Sequence, residues 1–304
     1  MLELVQVSTT DGVRLDGALE TPTLLDATSA APAVADAWLL LHGTGSNFYS
    51  GALLANLAPR LAALGATVLR VNTRGHDQVS AAYTPRGHRW IGAAFERVAD
   101  APLDIAAWIN LLVQLGHQRV GILGHSLGAV KAIYALANLE ATNATSLRHV
   151  TALAAVSPPR LSHSHYAQSA RAGDFLPVFD QAAALVGSGQ GETLLQVNFP
   201  LRYIVSAAAY VDRYGPDEHY NILKLVVHLP CPTLVTYGSQ ELQSEVAFAG
   251  MPEAIQRVRR DNPSPGKAPL QVAIVAGADH LYTATHDALF ASFERWLRKL
   301  PQSN

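Results

Sequence analysis

Arg119-Val120-Gly121-Ile122-Leu123-Gly124-His125-Ser126-Leu127-Gly128-Ala129 is the stretch on which the fold turns. Arg119 to Leu123 is a short apolar run, as expected of a strand covered on both faces. Ala129 to Leu139 reads as a helix. Between them stands Gly124-His125-Ser126-Leu127-Gly128, a G-x-S-x-G pattern at a strand-to-helix junction. There the serine occupies a tight turn with strained backbone angles, and the glycines on either side leave room where a larger side chain would clash. The turn presents Ser126 Oγ outward, and the helix after it directs its N-terminal amides toward negative charge developing nearby. A chance G-x-S-x-G in an ordinary loop would lack the flanking strand and helix.

Similar elements repeat outward from this junction. Trp38 to Leu41, Thr67 to Val71, Val150 to Val156, Pro232 to Tyr237 and Leu270 to Val275 all read as buried strands. Residues 51 to 64 carry Leu53, Leu54, Leu57, Leu61 and Leu64 at helical spacing, with Pro59 expected to bend or break the helix. A second helix opens at Asp100-Ala101-Pro102, with Asp100 as expected N-cap, and stops at Gly116. Strand alternating with helix is the grammar of a mostly parallel central sheet with helices on both faces. Right-handed crossovers bring the loops after the strands to one edge, where ligand chemistry sits. At the start, two alternating runs around Asp11-Gly12 read as an antiparallel hairpin, with Leu2 and Leu4 on one side and Val5 and Val7 on the other. Residues 21 to 36 read as a surface connection.

Residues 157 to 229 break the rhythm, being too long for one crossover. They read as a mostly helical insertion that caps the catalytic edge as a lid, with residues 1–156 and 230–304 forming the core. There is no internal repeat and no low-complexity tract.

Composition sets the outer bounds. Apolar residues make up 49% of the 304 residues and charged residues 15%, enough for a large core and unlike a disordered chain. A net charge of −2 leaves no footprint for nucleic acid or an acidic membrane surface. The lone Cys231 excludes an intramolecular disulfide and any multi-cysteine metal site. The start, MLELVQVSTTDG, lacks the basic and apolar regions of a signal peptide, and no run reaches membrane-helix length. A cytoplasmic protein without integral membrane association is expected, its oligomeric state open.

The chemistry then assembles around Ser126. Leu41-His42-Gly43-Thr44-Gly45 follows the first buried strand. A glycine-rich loop there lets the backbone approach a substrate oxygen, and the amides of Thr44 and Leu127 are the expected oxyanion donors. Gly277-Ala278-Asp279-His280 follows the last strand and supplies the base that a weak serine nucleophile needs. His280 is favoured among 12 histidines by that position, with His286 its rival. The acid that orients the histidine belongs after Tyr237, where Gly238-Ser239-Gln240-Glu241 holds no aspartate. Glu241 is therefore the first choice, Glu245 the second, and Asp212 or Asp217 more distant; Asp279 is too close in the chain to His280. His42, Gly43, His125 and Trp90 are candidate substrate-binding residues, Trp90 as part of an aromatic loop from Gln78 to Ala99 that also holds Tyr83, His88 and Phe95. His163, His165 and His219 lack metal-ligand spacing, and no metal site is expected.

These residues resemble the α/β-hydrolase superfamily, whose order is serine, then acid, then histidine. The resemblance spans nearly the whole chain: His42-Gly43, Arg74-Gly75-His76 (similar to an Arg-Gly-x-Gly segment), the Ser126 elbow, Glu241 and His280. The family usually has aspartate where Glu241 stands. Thr10 to Leu15 is similar to the opening of esterases and serine peptidase-like hydrolases. The expectation is a serine hydrolase of the α/β-hydrolase fold, cleaving a small carboxylic ester or related acyl bond without metal or organic cofactor. Activity should be lost on acidification as the histidine protonates. The alternatives are a thioesterase, amidase, acyltransferase or carbon–carbon bond hydrolase on the same apparatus, or a hydrolase-like ligand-binding protein with little turnover.

Overall fold

The computed structural model describes residues 1–22, 34–85, 87–141, 144–263 and 268–300. Most of the expected surface connection at 21–36 lies outside the described residues. The centre is an eight-stranded sheet. Its strands are β1 (Leu2–Ser8), β2 (Arg14–Glu20), β3 (Ala37–Leu41), β4 (Thr67–Val71), β7 (Val120–His125), β8 (Val150–Val156), β11 (Thr233–Gly238) and β12 (Leu270–Val275). They lie in the order β1-β2-β4-β3-β7-β8-β11-β12. From β4 to β12 every pairing is parallel, while β2 runs antiparallel to both β1 and β4. Strands β3 and β7 are buried at every position, as continuous apolar runs covered on both faces must be.

Helices cover both faces. One layer holds α1 (Ala52–Ala63) and α10 (His286–Leu297), packed with Trp38, Leu40 and Val68. The other holds α2 (Ala101–Gln114) and α3 (Leu127–Ala137), packed with Leu39, Leu69 and Ile122. Helix α1 runs through Pro59 without a break. The hydrogen bond that proline removes is the one to the carbonyl of Ala55, and both residues are exposed, on the side of the helix open to solvent. Asp100 does not cap α2 through its side chain. Its carboxylate is taken instead by Arg74 and Arg89, each at 3.1 Å. In the opening hairpin Val5 and Val7 pack toward the core while Leu2 and Leu4 stay exposed.

Arg74 is buried, and its guanidinium joins Asp11 of the first turn to Asp104 of α2 at 2.8–3.0 Å. Burial acts against the Asp11 carboxylate, but hydrogen bonds from Arg74 and Thr9 hold its pKa down to about 2.

Residues 157–229 fold as α4 (His163–Ala167), α5 (Ala172–Gly187), the strands β9 (Leu194–Val197) and β10 (Tyr203–Ser206), α6 (Ala207–Tyr214) and α7 (Ile222–Leu225). The antiparallel β9–β10 ribbon adds strand to a segment expected to be mostly helical. A second hairpin, β5 (Ser80–Thr84) with β6 (Gly87–Ile91), occupies the loop after β4. Two further helices, α8 (Glu241–Ser244) and α9 (Met251–Asp261), lie between β11 and β12. Among the described residues no helix is long and apolar enough to cross a membrane.

Candidate active site

The turn from β7 into α3 holds Ser126 at φ 55° and ψ −122°, outside the regions an L-residue prefers. The strain is held by the backbone around it: the Ser126 amide donates to the Val156 carbonyl at 2.8 Å. A Cβ on Gly128 would lie 2.5 Å from the His42 carbonyl oxygen, and one on Gly124 would lie 2.6 Å from the Gly128 carbonyl oxygen. Both glycines are therefore required sterically, as the pattern G-x-S-x-G implies.

Three loops at the C-terminal sheet edge converge on this serine. Ser126 Oγ lies 3.1 Å from His280 Nε2, and His280 Nδ1 lies 2.7 Å from Glu241 Oε2. With Nδ1–H donating to the carboxylate, Nε2 is left as the acceptor for the serine proton. Glu241 is buried, and its Oε1 accepts hydrogen bonds from the Gly238 amide at 2.6 Å and the Ser157 hydroxyl at 2.5 Å. The Tyr282 hydroxyl in turn lies 2.9 Å from Ser157 Oγ and 3.1 Å from Thr236 Oγ1. Sequence reasoning missed Ser157 and Tyr282. Their signal was position: one follows β8 directly, and the other stands two residues after His280.

Among the described residues none of the alternatives for these roles is paired with His280 or Ser126. Glu245 is exposed; Asp212 accepts a hydrogen bond from the Tyr220 hydroxyl; Asp217 is exposed and lies 3.6 Å from His219. Asp279 accepts from the amides of Leu281 and Thr283, within its own loop. His286 begins α10. His163 packs against Phe175 and Phe179, and His165 Nε2 donates to the Val246 carbonyl.

A cavity of about 410 Å³ opens onto Ser126, His280, Thr44 and Leu127. Leu127 is the first residue of α3, so its amide has no intrahelical partner, and the Thr44 amide has no backbone acceptor among the described residues. Residues 157–229 contribute Tyr166, Phe199 and Tyr214 to the cavity wall. Phe248 packs its ring 4.9 Å from that of His280.

The other candidate binding residues do not line this cavity. His42 and Gly43 lie beneath it: His42 Nδ1–H donates to the Gly43 carbonyl at 2.8 Å, and Nε2 accepts from the Thr73 amide at 3.1 Å. His125 Nε2–H donates to the His280 carbonyl at 2.8 Å, fixing the loop that carries the histidine. Burial pushes both His42 and His125 down to about 3, so both are neutral supports. Trp90 is 49% exposed on the β5–β6 hairpin, stacked with Phe95, and Tyr83 and His88 are exposed beside it. The aromatic loop is thus a surface hairpin, because its strands pair with each other rather than folding over the sheet edge. Among the described residues no group of three or more His, Cys, Asp or Glu side chains is gathered to hold a metal.

Comparison with known proteins agrees with this architecture. The family model described as "Alpha/beta hydrolase family" matches residues 38–293. The chain belongs to the alpha/beta hydrolase family. The structure of the alpha/beta hydrolase GrgF from Penicillium sp. sh18 is similar with a TM-score of 0.67 at 15% identity, over 98% of each chain. Est1E from Butyrivibrio proteoclasticus, solved with ferulic acid bound, gives 0.63 at 14% identity over 97% of this chain and 98% of that one. A soluble variant of monoglyceride lipase from Saccharomyces cerevisiae, in complex with a substrate analog, gives 0.62 at 14% identity over 97% and 94%. At such identities these likenesses speak to the fold. No curated protein matches the chain.

Proposed function

We propose that this alpha/beta hydrolase is a serine hydrolase that cleaves a carboxylic ester through an acyl-enzyme on Ser126. The observation that carries the reading is the continuous chain from Ser126 Oγ through His280 to the buried carboxylate of Glu241, with contacts of 3.1 and 2.7 Å. Ser126 Oγ attacks the ester carbonyl while His280 Nε2 takes its proton. The carbonyl oxygen becomes an oxyanion held by the amides of Thr44 and Leu127. Collapse expels the alkoxide, which takes the proton from His280 and leaves as alcohol. Water, deprotonated by His280, then attacks the acyl-enzyme and releases the carboxylic acid. Glu241 fixes the imidazole orientation and stabilises the imidazolium, while Ser157 and Gly238 fix Glu241. Residues 157–229 act as a cap that walls the acyl pocket through Tyr166, Phe199 and Tyr214.

The test is initial-rate hydrolysis of p-nitrophenyl esters from acetate to octanoate by wild type and Ser126→Ala. The expected result is turnover that falls by about 10³-fold or more in the variant. Equal turnover by both proteins, or none by a folded wild type, would reject the reading.

A further inference from the structure

The side chain of His280 is 32% open to solvent, so burial alone does not fix its ring. Glu241 holds Nδ1 at 2.7 Å, but one hydrogen bond leaves the imidazole free to rock about that contact, and rocking carries Nε2 away from Ser126 Oγ. Two rings lie against the imidazole. The centroid of the His125 ring is 4.9 Å away with the planes at 38°, and that of Phe248 is 4.9 Å away with the planes at 33°. Rings this close and this nearly parallel meet through their faces. Phe248 belongs to the loop after α8, seven residues beyond Glu241. One stretch after β11 therefore meets His280 twice, at the ring edge through Glu241 and on the face through Phe248. Phe248 is buried and lines the cavity. Its backbone is held from residues 157–229: the Ala247 carbonyl accepts from the Arg160 amide at 2.8 Å, and the Val246 carbonyl accepts from His165 Nε2–H at 3.1 Å. That segment is tied to the core in turn, where Arg213 Nη2 lies 3.6 Å from Glu96 Oε2 and Lys131 pairs with Oε1.

The face of a phenyl ring carries partial negative charge and attracts a cation within about 6 Å of its centroid. His280 becomes such a cation when it takes the serine proton. A contact stronger in that state than in the resting one speeds the step. An aliphatic side chain at 248 would fill the space without the attraction and would press on the imidazole less squarely.

We propose that Phe248 is a positioning residue for the reaction: its ring keeps the His280 imidazole turned with Nε2 on Ser126 Oγ and favours the imidazolium that forms there. The proposal rests on the serine-hydrolase reading for the proton transfer and on the ring packing alone for the positioning. Residues 157–229 enter it as the support of Phe248, through Arg160 and His165.

The test compares wild type, Phe248→Leu and Phe248→Tyr in two arms. In the first, kcat and KM are measured on p-nitrophenyl acetate, whose acyl group is small. Phe248→Leu should lower kcat by about tenfold with KM changed less than about twofold, and Phe248→Tyr, which keeps the ring face, should hold kcat within about twofold of wild type. The second arm needs no turnover: the downfield proton resonance of His280 Nδ1–H, identified by its loss in His280→Ala, is followed by NMR. It should be sharp in wild type and Phe248→Tyr and broadened or lost in Phe248→Leu. A raised KM with kcat kept in Phe248→Leu would make Phe248 a substrate contact only and overturn the proposal. So would a Phe248→Leu protein with kcat and resonance both unchanged, or a Phe248→Tyr protein as slow as Phe248→Leu. A resonance lost in Phe248→Leu, with no ester cleaved by a folded wild type, would overturn the hydrolase reading and leave the positioning contact standing.

Discussion

Ser157 donates its hydroxyl hydrogen to Glu241 Oε1 at 2.5 Å, on the side of the carboxylate away from His280. The glutamate is thereby held at both oxygens, by His280 on one and by Ser157 with the Gly238 amide on the other. A hydrogen bond to a buried charged group contributes about 1.5–3 kcal/mol. Ser157→Ala should therefore loosen the carboxylate that orients His280. The expected outcome is a fall in kcat of roughly tenfold on p-nitrophenyl butyrate with KM little changed. A KM effect alone would make Ser157 a pocket residue rather than a positioning one.

The elbow predicts a steric intolerance. A Cβ on Gly128 would meet the carbonyl oxygens of His42 and Leu41 at 2.5 and 2.6 Å. Gly128→Ala should destabilise the fold by more than about 2 kcal/mol, because backbone rather than a flexible side chain must move. Urea denaturation with an unchanged midpoint would show that the loop after β3 yields easily.

Trp90 makes the opposite prediction. It stands half exposed on the β5–β6 hairpin and does not line the cavity. Trp90→Ala should leave kcat/KM for every ester within about twofold, since surface changes away from a site act weakly. A tenfold loss would put the hairpin in the substrate path.

Acid should act on the segment that walls the cavity through Glu218. Burial opposes its charge, but hydrogen bonds from Ser164, Asn221 and Ser162 outweigh it and hold the pKa down to about 2 from an ordinary 4.5. A carboxylate lowered on folding contributes stability that is complete above its unfolded pKa and is lost as pH falls to the folded one. The stability difference between wild type and Glu218→Gln should be constant above about pH 5, shrink between about 4.5 and 2, and vanish below. A difference independent of pH across that interval would mean the carboxylate charge contributes nothing.

Most parts of this molecule readable in the sequence are those fixed by local constraint. Gly124 is fixed by neighbours a few residues away, Gly128 and Ala129, and the buried strands announce themselves as apolar runs, whereas what crowds Gly128 is the distant backbone of Leu41 and His42. Glu241 was legible because its loop offered no competing aspartate. The hairpin at Ser80–Ile91 was hidden because its strands are short and largely exposed and mix apolar with polar residues without an alternating pattern. Pro59 misleads because its effect depends on Ala55 facing water, a tertiary fact. The cluster of Glu96, Lys131 and Arg213 was illegible for another reason: its members come from three distant segments and meet only when the sheet edge and residues 157–229 pack together.

The central claim, that Ser126 forms a covalent intermediate with His280 as its base, is tested most directly by fluorophosphonate labelling followed by peptide mass analysis. The account predicts one adduct, on the peptide carrying Ser126, formed at least about a hundredfold more slowly in His280→Ala. A folded wild type that takes no label, or takes it on another serine, would contradict it.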